Sequence, residues 1–155
     1  MDRKQTAEID QKYRSLATIW FVLLMSQFMV LGAAVYIGGQ TLAAAEAAGA
    51  EPQENAIVIL IFAMLGLSSL AMSFFLRKRM QDQAEAMQNM SYVQTGILIA
   101  CAFCESISLI GFILAVVFGY KYFFLWFVVG IVGIFLHFPR RQHLINASYR
   151  SSSPQ

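Results

Sequence analysis

The sequence predicts an all-α integral membrane protein that folds as a four-helix bundle. Of its 155 residues, 58% are hydrophobic and only 13% are charged, whereas about a quarter of the residues in a soluble domain carry charge. The mean hydropathy of +0.59 also indicates a membrane protein. Four long apolar stretches, separated by polar segments, then indicate how many times the chain crosses a bilayer.

The four predicted helices cover residues 16–38, 56–76, 93–119 and 122–138. A helix needs roughly 20 apolar residues to cross a hydrocarbon core of about 30 Å, and the fourth stretch is slightly short of that length. Helices are expected because the backbone must satisfy its own hydrogen bonds in hydrocarbon. The turn at residues 119–121 is so short that helices 3 and 4 should form a tight antiparallel hairpin.

The chain divides into a cytosolic N-terminal segment (1–15), a transmembrane domain (16–139) and a cytosolic tail (140–155), in which residues 142–155 should fray. Basic residues set the orientation, because Lys and Arg accumulate in cytoplasmic loops. The loop at 39–55 has no Lys or Arg, so it is predicted to lie outside and both termini inside. The basic residues that carry this prediction are Arg3, Lys4, Lys12, Arg14, Arg77, Lys78, Arg79, Arg140, Arg141 and Arg150.

Glu105 is the only charged residue in helix 3, within the stretch IACAFCESISLIGF. A carboxylate at the bilayer centre costs about 2.5–3.5 kcal/mol on insertion scales, so such residues are functional by default. Ser108 lies on the same helix face. Ser26 and Gln27, near the middle of helix 1, are the expected partners. Desolvation favours the neutral acid, which leaves two interpretations open: a reversible proton or sodium site, or a structural interhelical hydrogen bond.

Small residues on helices 2 and 4 are predicted to allow close helix packing: Gly66, Ser69, Ser73, Gly130 and Gly133. Cys101 and Cys104 have the spacing of a redox pair, but they lie inside an apolar helix and are expected to be small buried hydrophobes. Two isolated histidines give no cluster of metal ligands, so no metal or other cofactor is predicted. A net charge of +2, spread over short segments, does not suggest a nucleic-acid partner.

Residues 105–112, ESISLIGF, resemble the ion-carrying helix of the F-type and V-type ATP synthase c subunit. In that family a carboxylate is followed by small residues, an aliphatic pair and a glycine. The resemblance covers some 20 residues of helix 3 and implies that Glu105 stands where the family binds a proton or sodium ion. The family's glycine repeat is missing from helix 1. The chain as a whole resembles uncharacterised small four-helix proteins of the bacterial inner (plasma) membrane.

Three non-enzymatic functions are consistent with these features. The first is an ion-linked membrane protein in which Glu105 binds and releases a proton or sodium ion. The second is a structural or accessory membrane subunit, and the third is a small proton-coupled transporter that would need a dimer to enclose a pathway. The expected partners are the lipid bilayer, a proton or sodium ion, and further copies or a larger membrane complex. An enzyme is not predicted, because no nucleophile, base and orienting group occur together.

Overall fold

The computed structural model describes residues 3–49 and 55–148, and within them every regular element is helical. The remaining residues, which include the end of the predicted tail and part of the predicted outer loop, lie outside the described ranges. The five helices are α1 (Arg3–Ala47), α2 (Ala56–Met87), α3 (Met90–Phe118), α4 (Phe124–Leu136) and α5 (Arg141–Ser148).

The first helix is much longer than its apolar stretch. With 45 residues, α1 extends for about 68 Å, more than twice the thickness of a hydrocarbon core. The apolar pattern marks only the part of a helix that fits a bilayer, whereas backbone hydrogen bonding continues until a residue interrupts it. No Gly or Pro interrupts residues 3–15 or 77–87, so α1 and α2 both continue into polar sequence.

The fourth helix is shorter than predicted, and the tail is more ordered. Residues 122–138 were expected to be helical, but α4 ends at Leu136 and Pro139 follows, which cannot continue a helix. The prediction that residues 142–155 fray is wrong for residues 142–148, which belong to α5. So short a helix is stabilised by tertiary packing, because Leu144 and Ala147 are buried in one cluster with Ile9 of α1.

Helix α3 is the centre of the fold and packs against each of the other four helices. Glycines on its buried face allow this close approach. A Cβ atom at Gly96 would lie 2.8 Å from Cβ of Met80 in α2, and one at Gly111 would lie 2.7 Å from Cβ of Trp126 in α4. Along α1, Gly38 lies against Ala115 in the same way. The functional candidates on α3 are therefore held between helices at fixed positions.

The outer faces of the long helices are apolar, as expected for surfaces that face lipid. The most exposed large side chains include Met29, Tyr36, Ile57, Met64 and Val117. By length and composition, α1, α2 and α3 can each cross a membrane. The pair α4 and α5, bent by 44° at the intervening break, would supply a fourth crossing if it counts as one span.

Candidate functional site

Glu105 of α3 is paired with Ser26 of α1. The Ser26 Oγ lies 2.9 Å from Oε1 of Glu105 and 2.7 Å from the backbone oxygen of Leu23. A serine hydroxyl has a single hydrogen, so it cannot donate fully to both oxygens. If Glu105 is a carboxylic acid, it donates to Ser26 Oγ while Ser26 donates to Leu23, and each hydrogen has its own acceptor. These contacts are compatible both with a carboxylic acid that donates to Ser26 and with a carboxylate that accepts from Ser26.

Gln27 and Ser108 bring two further polar groups to the same place. Their side chains are 3% and 1% exposed. In the described part of the chain, Gln27 Oε1 and Ser108 Oγ are buried atoms with no hydrogen-bond partner. Buried polar atoms are paired in the great majority of cases, so an unpaired one in a native structure requires an explanation. Two such atoms beside one carboxyl group mark this as the strongest candidate site.

A cavity of about 90 Å³ joins these groups. The four polar residues predicted as an ion site, Ser26, Gln27, Glu105 and Ser108, all line it, together with Val30 and Leu109. A single water needs a probe-occupied volume of roughly 10–15 Å³, so the cavity has room for a few waters or a small cation. The lining residues carry one carboxyl group, one amide and two hydroxyls, but the Gln27 and Ser108 oxygens are themselves inaccessible to a water molecule.

Gly130 of α4 packs directly against Ser108 and Cys104 of α3. A Cβ atom there would collide with the Ser108 hydroxyl and lie 2.9 Å from the backbone oxygen of Cys104. We expect Gly130→Ala to destabilise the protein by about 1–3 kcal/mol, because overpacking against a backbone carbonyl cannot be relieved by a side-chain rotation. Thermal unfolding in detergent measures the effect, and the loss of monodisperse protein is the signal.

Gly32→Ala is the matched control, because a Cβ atom at Gly32 of α1 would meet nothing within 4 Å. This substitution should leave stability unchanged or raise it by up to about 1 kcal/mol, since Ala favours helix more than Gly does. Equal effects of the two substitutions would contradict the close approach of α4 to Ser108.

The predicted packing residues take different roles in the structure. Gly66 of α2 lies under the indole ring of Trp126, and Gly133 of α4 lies against Sγ of Cys104. Ser69 is half-buried. Ser73 is completely buried, but its hydroxyl is part of a polar cluster that the packing interpretation did not include.

This second polar cluster joins α2 to the end of α4. His137 Nε2 lies 3.0 Å from Ser73 Oγ, and His137 Nδ1 lies 3.0 Å from Nη1 of Arg77. Because a guanidinium group can only donate, Nδ1 must accept and Nε2 must carry the hydrogen that Ser73 receives. Ser73 in turn donates to the backbone oxygen of Leu70 at 2.7 Å. The contacts therefore assign His137 as the neutral Nε2–H tautomer.

Arg77 also satisfies the backbone at the break between α4 and α5. Its Nη1 donates to the oxygen of Leu136 at 2.9 Å, and its Nη2 donates to the oxygen of Phe138 at 3.3 Å. The last carbonyl groups of a helix have no partner within the helix, and a cation is favourable at that end. The sequence held two signals for this cluster: Ser73 and Arg77 are one helical turn apart, and Pro139 predicts freed carbonyl groups.

Outside the long apolar helices, α5 carries charged contacts to α1 and α2. Arg141 pairs with Asp10, and Asn146 donates to Glu85 at 3.3 Å. Burial lowers the pKa of His143, and the positive charges of Arg77 and Arg140 lower it further. These contacts hold the end of the bundle together but bring no reactive groups into one place.

The two cysteines are free thiols buried in the core of the bundle. Within residues 3–49 and 55–148, no group of three or more His, Cys, Asp or Glu side chains is arranged to hold a metal ion. The cavity beside Glu105, where four polar side chains meet, is therefore the candidate site. Comparison with known proteins found no matching family model, no similar curated protein and no similar solved structure.

Proposed function

We propose that this chain is a non-enzymatic integral membrane protein that reversibly binds a proton or a small monovalent cation at Glu105. The observation that carries the proposal is the cavity beside that carboxyl group, which is lined by Ser26, Gln27 and Ser108. Gln27 and Ser108 each also have a buried oxygen without a hydrogen-bond partner, which a purely structural hydrogen bond between Glu105 and Ser26 would not require. A cation or water bound in the cavity would give these oxygens a partner once their side chains rotate toward it.

The proposed exchange has two states. In the protonated state, Glu105 donates to Ser26, and no charge is present in the apolar surroundings. In the ionised state, the carboxylate is stabilised by a cation that also contacts the oxygens of Gln27 and Ser108. Both states avoid an isolated buried charge, which is too costly to persist in an apolar environment.

The proposed arrangement in the membrane is four crossings of a bacterial inner membrane, with α3 and α4 as a tight antiparallel hairpin. Support for the hairpin comes from the paired contacts of Gly111 with Trp126 and of Gly130 with Ser108, whose order reverses between the two helices. Support for cytoplasmic termini comes from the basic residues, which cluster near the two termini and after the second apolar stretch. Arg77 and α5 then lie toward the cytoplasm, and Gly119 lies toward the opposite face.

Carbodiimide labelling tests the proposed function, because these reagents react with protonated carboxyl groups in apolar surroundings. We expect dicyclohexylcarbodiimide to modify Glu105 in purified protein, and we expect labelling to fall as the pH rises because the carboxylate does not react. If sodium is the cation, it should protect Glu105 at a fixed pH, whereas potassium chloride at the same ionic strength should not. Peptide mass spectrometry identifies the modified residue.

Two controls make the labelling interpretable. Glu105→Gln must abolish the modification, and the carboxyl group of Glu85, which lies outside the apolar part of α2, reports general reactivity. Absence of labelling at every pH in folded protein would overturn the ion-binding proposal. The alternative, an accessory membrane subunit in which Glu105 only joins α1 to α3, would then be favoured by the 2.9 Å contact with Ser26.

A further inference from the structure

The cavity beside Glu105 lies at the outer surface of the bundle, between α1 and α3. Glu105 and Ser26 are half-buried, and Leu109, which also lines the cavity, is exposed. Both helices are long and apolar enough to cross a membrane, so this surface faces lipid in the proposed arrangement. A ligand that approaches Glu105 through this surface therefore comes from the bilayer.

Along the bundle axis, buried apolar clusters adjoin the cavity in both directions. The cluster toward the start of α3 contains Leu24 and Cys101. The cluster toward the end of α3 contains Ala34, Ala115 and Phe127. Close packing of this kind leaves no space for a ligand. Among the residues that the structure describes, the lipid-facing side of α1 and α3 is thus the open side of the cavity.

An open groove adjoins the cavity, one helical turn further along the same two helices. The groove has a volume of about 360 Å³ and is lined by Met29, Val30, Ala33, Leu109 and Phe112. Val30 and Leu109 line both spaces. All five side chains are apolar, whereas the cavity is mostly polar. A concave, largely apolar site of roughly 300–1,000 Å³ with a few polar groups at one place is typical of small-molecule binding.

The charge of the site indicates which ligand chemistry fits. Among the described residues that line the cavity and the groove, Glu105 is the only ionisable one, so no positive charge is available to an anionic ligand. An ammonium group has three N–H donors, and the two carboxylate oxygens and Ser26 Oγ can accept them. Ser26 keeps its own hydrogen for the backbone oxygen of Leu23, at 2.7 Å. A primary ammonium group is about the size of one water, so the cavity has room for it.

We propose that the cavity and the groove together bind an amphiphilic primary amine that enters from the bilayer. Its nitrogen lies beside Glu105, and its alkyl chain lies in the groove. On binding, the proton of the carboxylic acid moves to the amine: one O–H bond breaks, one N–H bond forms, and the ammonium carboxylate pair has no net charge. No isolated charge is buried in this step. The inference rests on the proposed function and names a ligand class for the same site.

The nitrogen, rather than the alkyl chain, should determine the affinity. A chain that moves from lipid into the groove exchanges one apolar environment for another, so little free energy is gained. The hydrogen bonds between an ammonium group and a carboxylate are stronger than those between neutral groups, and a low-dielectric environment strengthens them further. An alcohol with the same chain is therefore expected to bind more weakly than the amine.

Protection from carbodiimide tests this preference in the wild-type protein. Decylamine, decanol or decyltrimethylammonium is added to protein in an uncharged detergent before dicyclohexylcarbodiimide, and peptide mass spectrometry quantifies modification of Glu105. Decylamine should protect at about a tenfold lower concentration than decanol, as expected for hydrogen bonds to a charged group. Decyltrimethylammonium brings positive charge to the micelle but has no N–H to donate, so it should protect no better than decanol.

The outcomes separate this inference from the proposed function. Equal protection by decylamine and decanol would show that the groove accepts any alkyl chain, such as that of a lipid. Equal protection by decyltrimethylammonium would assign the effect to micelle charge. Either result overturns the amine site, while pH-dependent labelling of Glu105 without any amphiphile still supports the proposed function. Absence of that labelling counts against the proposed function instead.

Native mass spectrometry tests the amine site without carbodiimide chemistry. Wild-type protein released from detergent should retain decylamine about tenfold better than Glu105→Gln, because the amide has no proton to transfer and cannot form the charged pair. Equal retention by the two proteins overturns the amine site, whatever the labelling shows.

Ala33→Phe tests the position of the alkyl chain, because Ala33 lines the groove but not the cavity. A phenyl ring there occupies the groove and leaves Glu105 and Ser26 in place, so retention of decylamine should be lost. Val35→Phe adds the same ring at an exposed position of α1 outside the groove and should behave as the wild type. Equal retention by the two folded variants overturns the placement of the chain, and the wild-type comparisons test the headgroup without any variant.

Discussion

Arg77→Met is expected to lower the free energy of unfolding by about 3 kcal/mol. The guanidinium group donates to His137 Nδ1 and to the backbone oxygens of Leu136 and Phe138. Methionine fills similar apolar space but donates nothing, so three acceptors at the end of α4 lose their partner. Each buried acceptor left without a hydrogen bond costs about 1–3 kcal/mol, although water at the end of the bundle will replace some of these bonds.

The appropriate control is Arg79→Met, two residues further along the same helix and exposed. Substitutions at exposed positions that make no specific contacts change the free energy of unfolding by about 0.5 kcal/mol or less. Unfolding by a denaturing detergent in mixed micelles, with helix content as the signal, compares the two variants. Similar midpoints for both would show that the contacts of Arg77 with the α4–α5 break contribute little to stability.

The sequence predicted α3 to within three residues at each end and α2 at its start, because their apolar runs are long and almost free of charge. It predicted the outer limits of α1 and the ends of α2 and α4 less well, for two physical reasons. The hydrophobicity of a segment indicates whether lipid or water surrounds it. A helix, in contrast, continues through polar residues until its hydrogen bonding is interrupted. The order in α5 depends on burial of Leu144 against α1, which no local pattern encodes.

The proximity of Ser26 and Ser108 to Glu105 could be predicted from the sequence. It depends on how deep each residue lies in the apolar run and on which helix face it occupies. Ser26 and Glu105 lie near the middle of their apolar runs, and Ser108 follows Glu105 by three residues, on the same face. The sequence could not decide between the two predicted partners. The structure pairs Glu105 with Ser26 and leaves the Gln27 oxygen without a hydrogen bond, because neighbouring residues on α1 point in different directions.

The Arg77 cluster was not predicted, because a basic residue at the end of an apolar run is ordinarily read as an orientation signal. Arg77 does stand at such a position, together with Lys78 and Arg79. Only the break at Pro139 turns it inward, since the break leaves carbonyl groups of α4 that need a donor. This tertiary requirement distinguishes a buried arginine from the exposed basic residues beside it.

Glu105→Gln is expected to abolish the proposed ion binding while preserving the fold. The amide has nearly the same shape as the carboxylic acid, and its N–H can donate to Ser26 Oγ while Ser26 donates to Leu23. Stability should therefore change by less than about 1 kcal/mol, the worth of a typical hydrogen bond. The amide cannot gain or lose a proton near neutral pH, so carbodiimide labelling and any sodium protection should both disappear.

Glu105→Ala separates the structural contribution of this residue from its ion chemistry. It removes the partner of Ser26 and enlarges the cavity, so we expect the free energy of unfolding to fall by about 1–3 kcal/mol. A cycle with Ser26→Ala should give a coupling energy between about 0.6 kcal/mol, the average measured for hydrogen bonds between helices in one membrane protein, and about 1.7 kcal/mol, the maximum measured there. A coupling energy near zero would show that Ser26 does not hold the carboxyl group. The cycle assigns this energy to the Ser26–Glu105 pair on the condition that Gln27 and Ser108 form no new hydrogen bonds in the single variants, because residues that share a cavity can also couple.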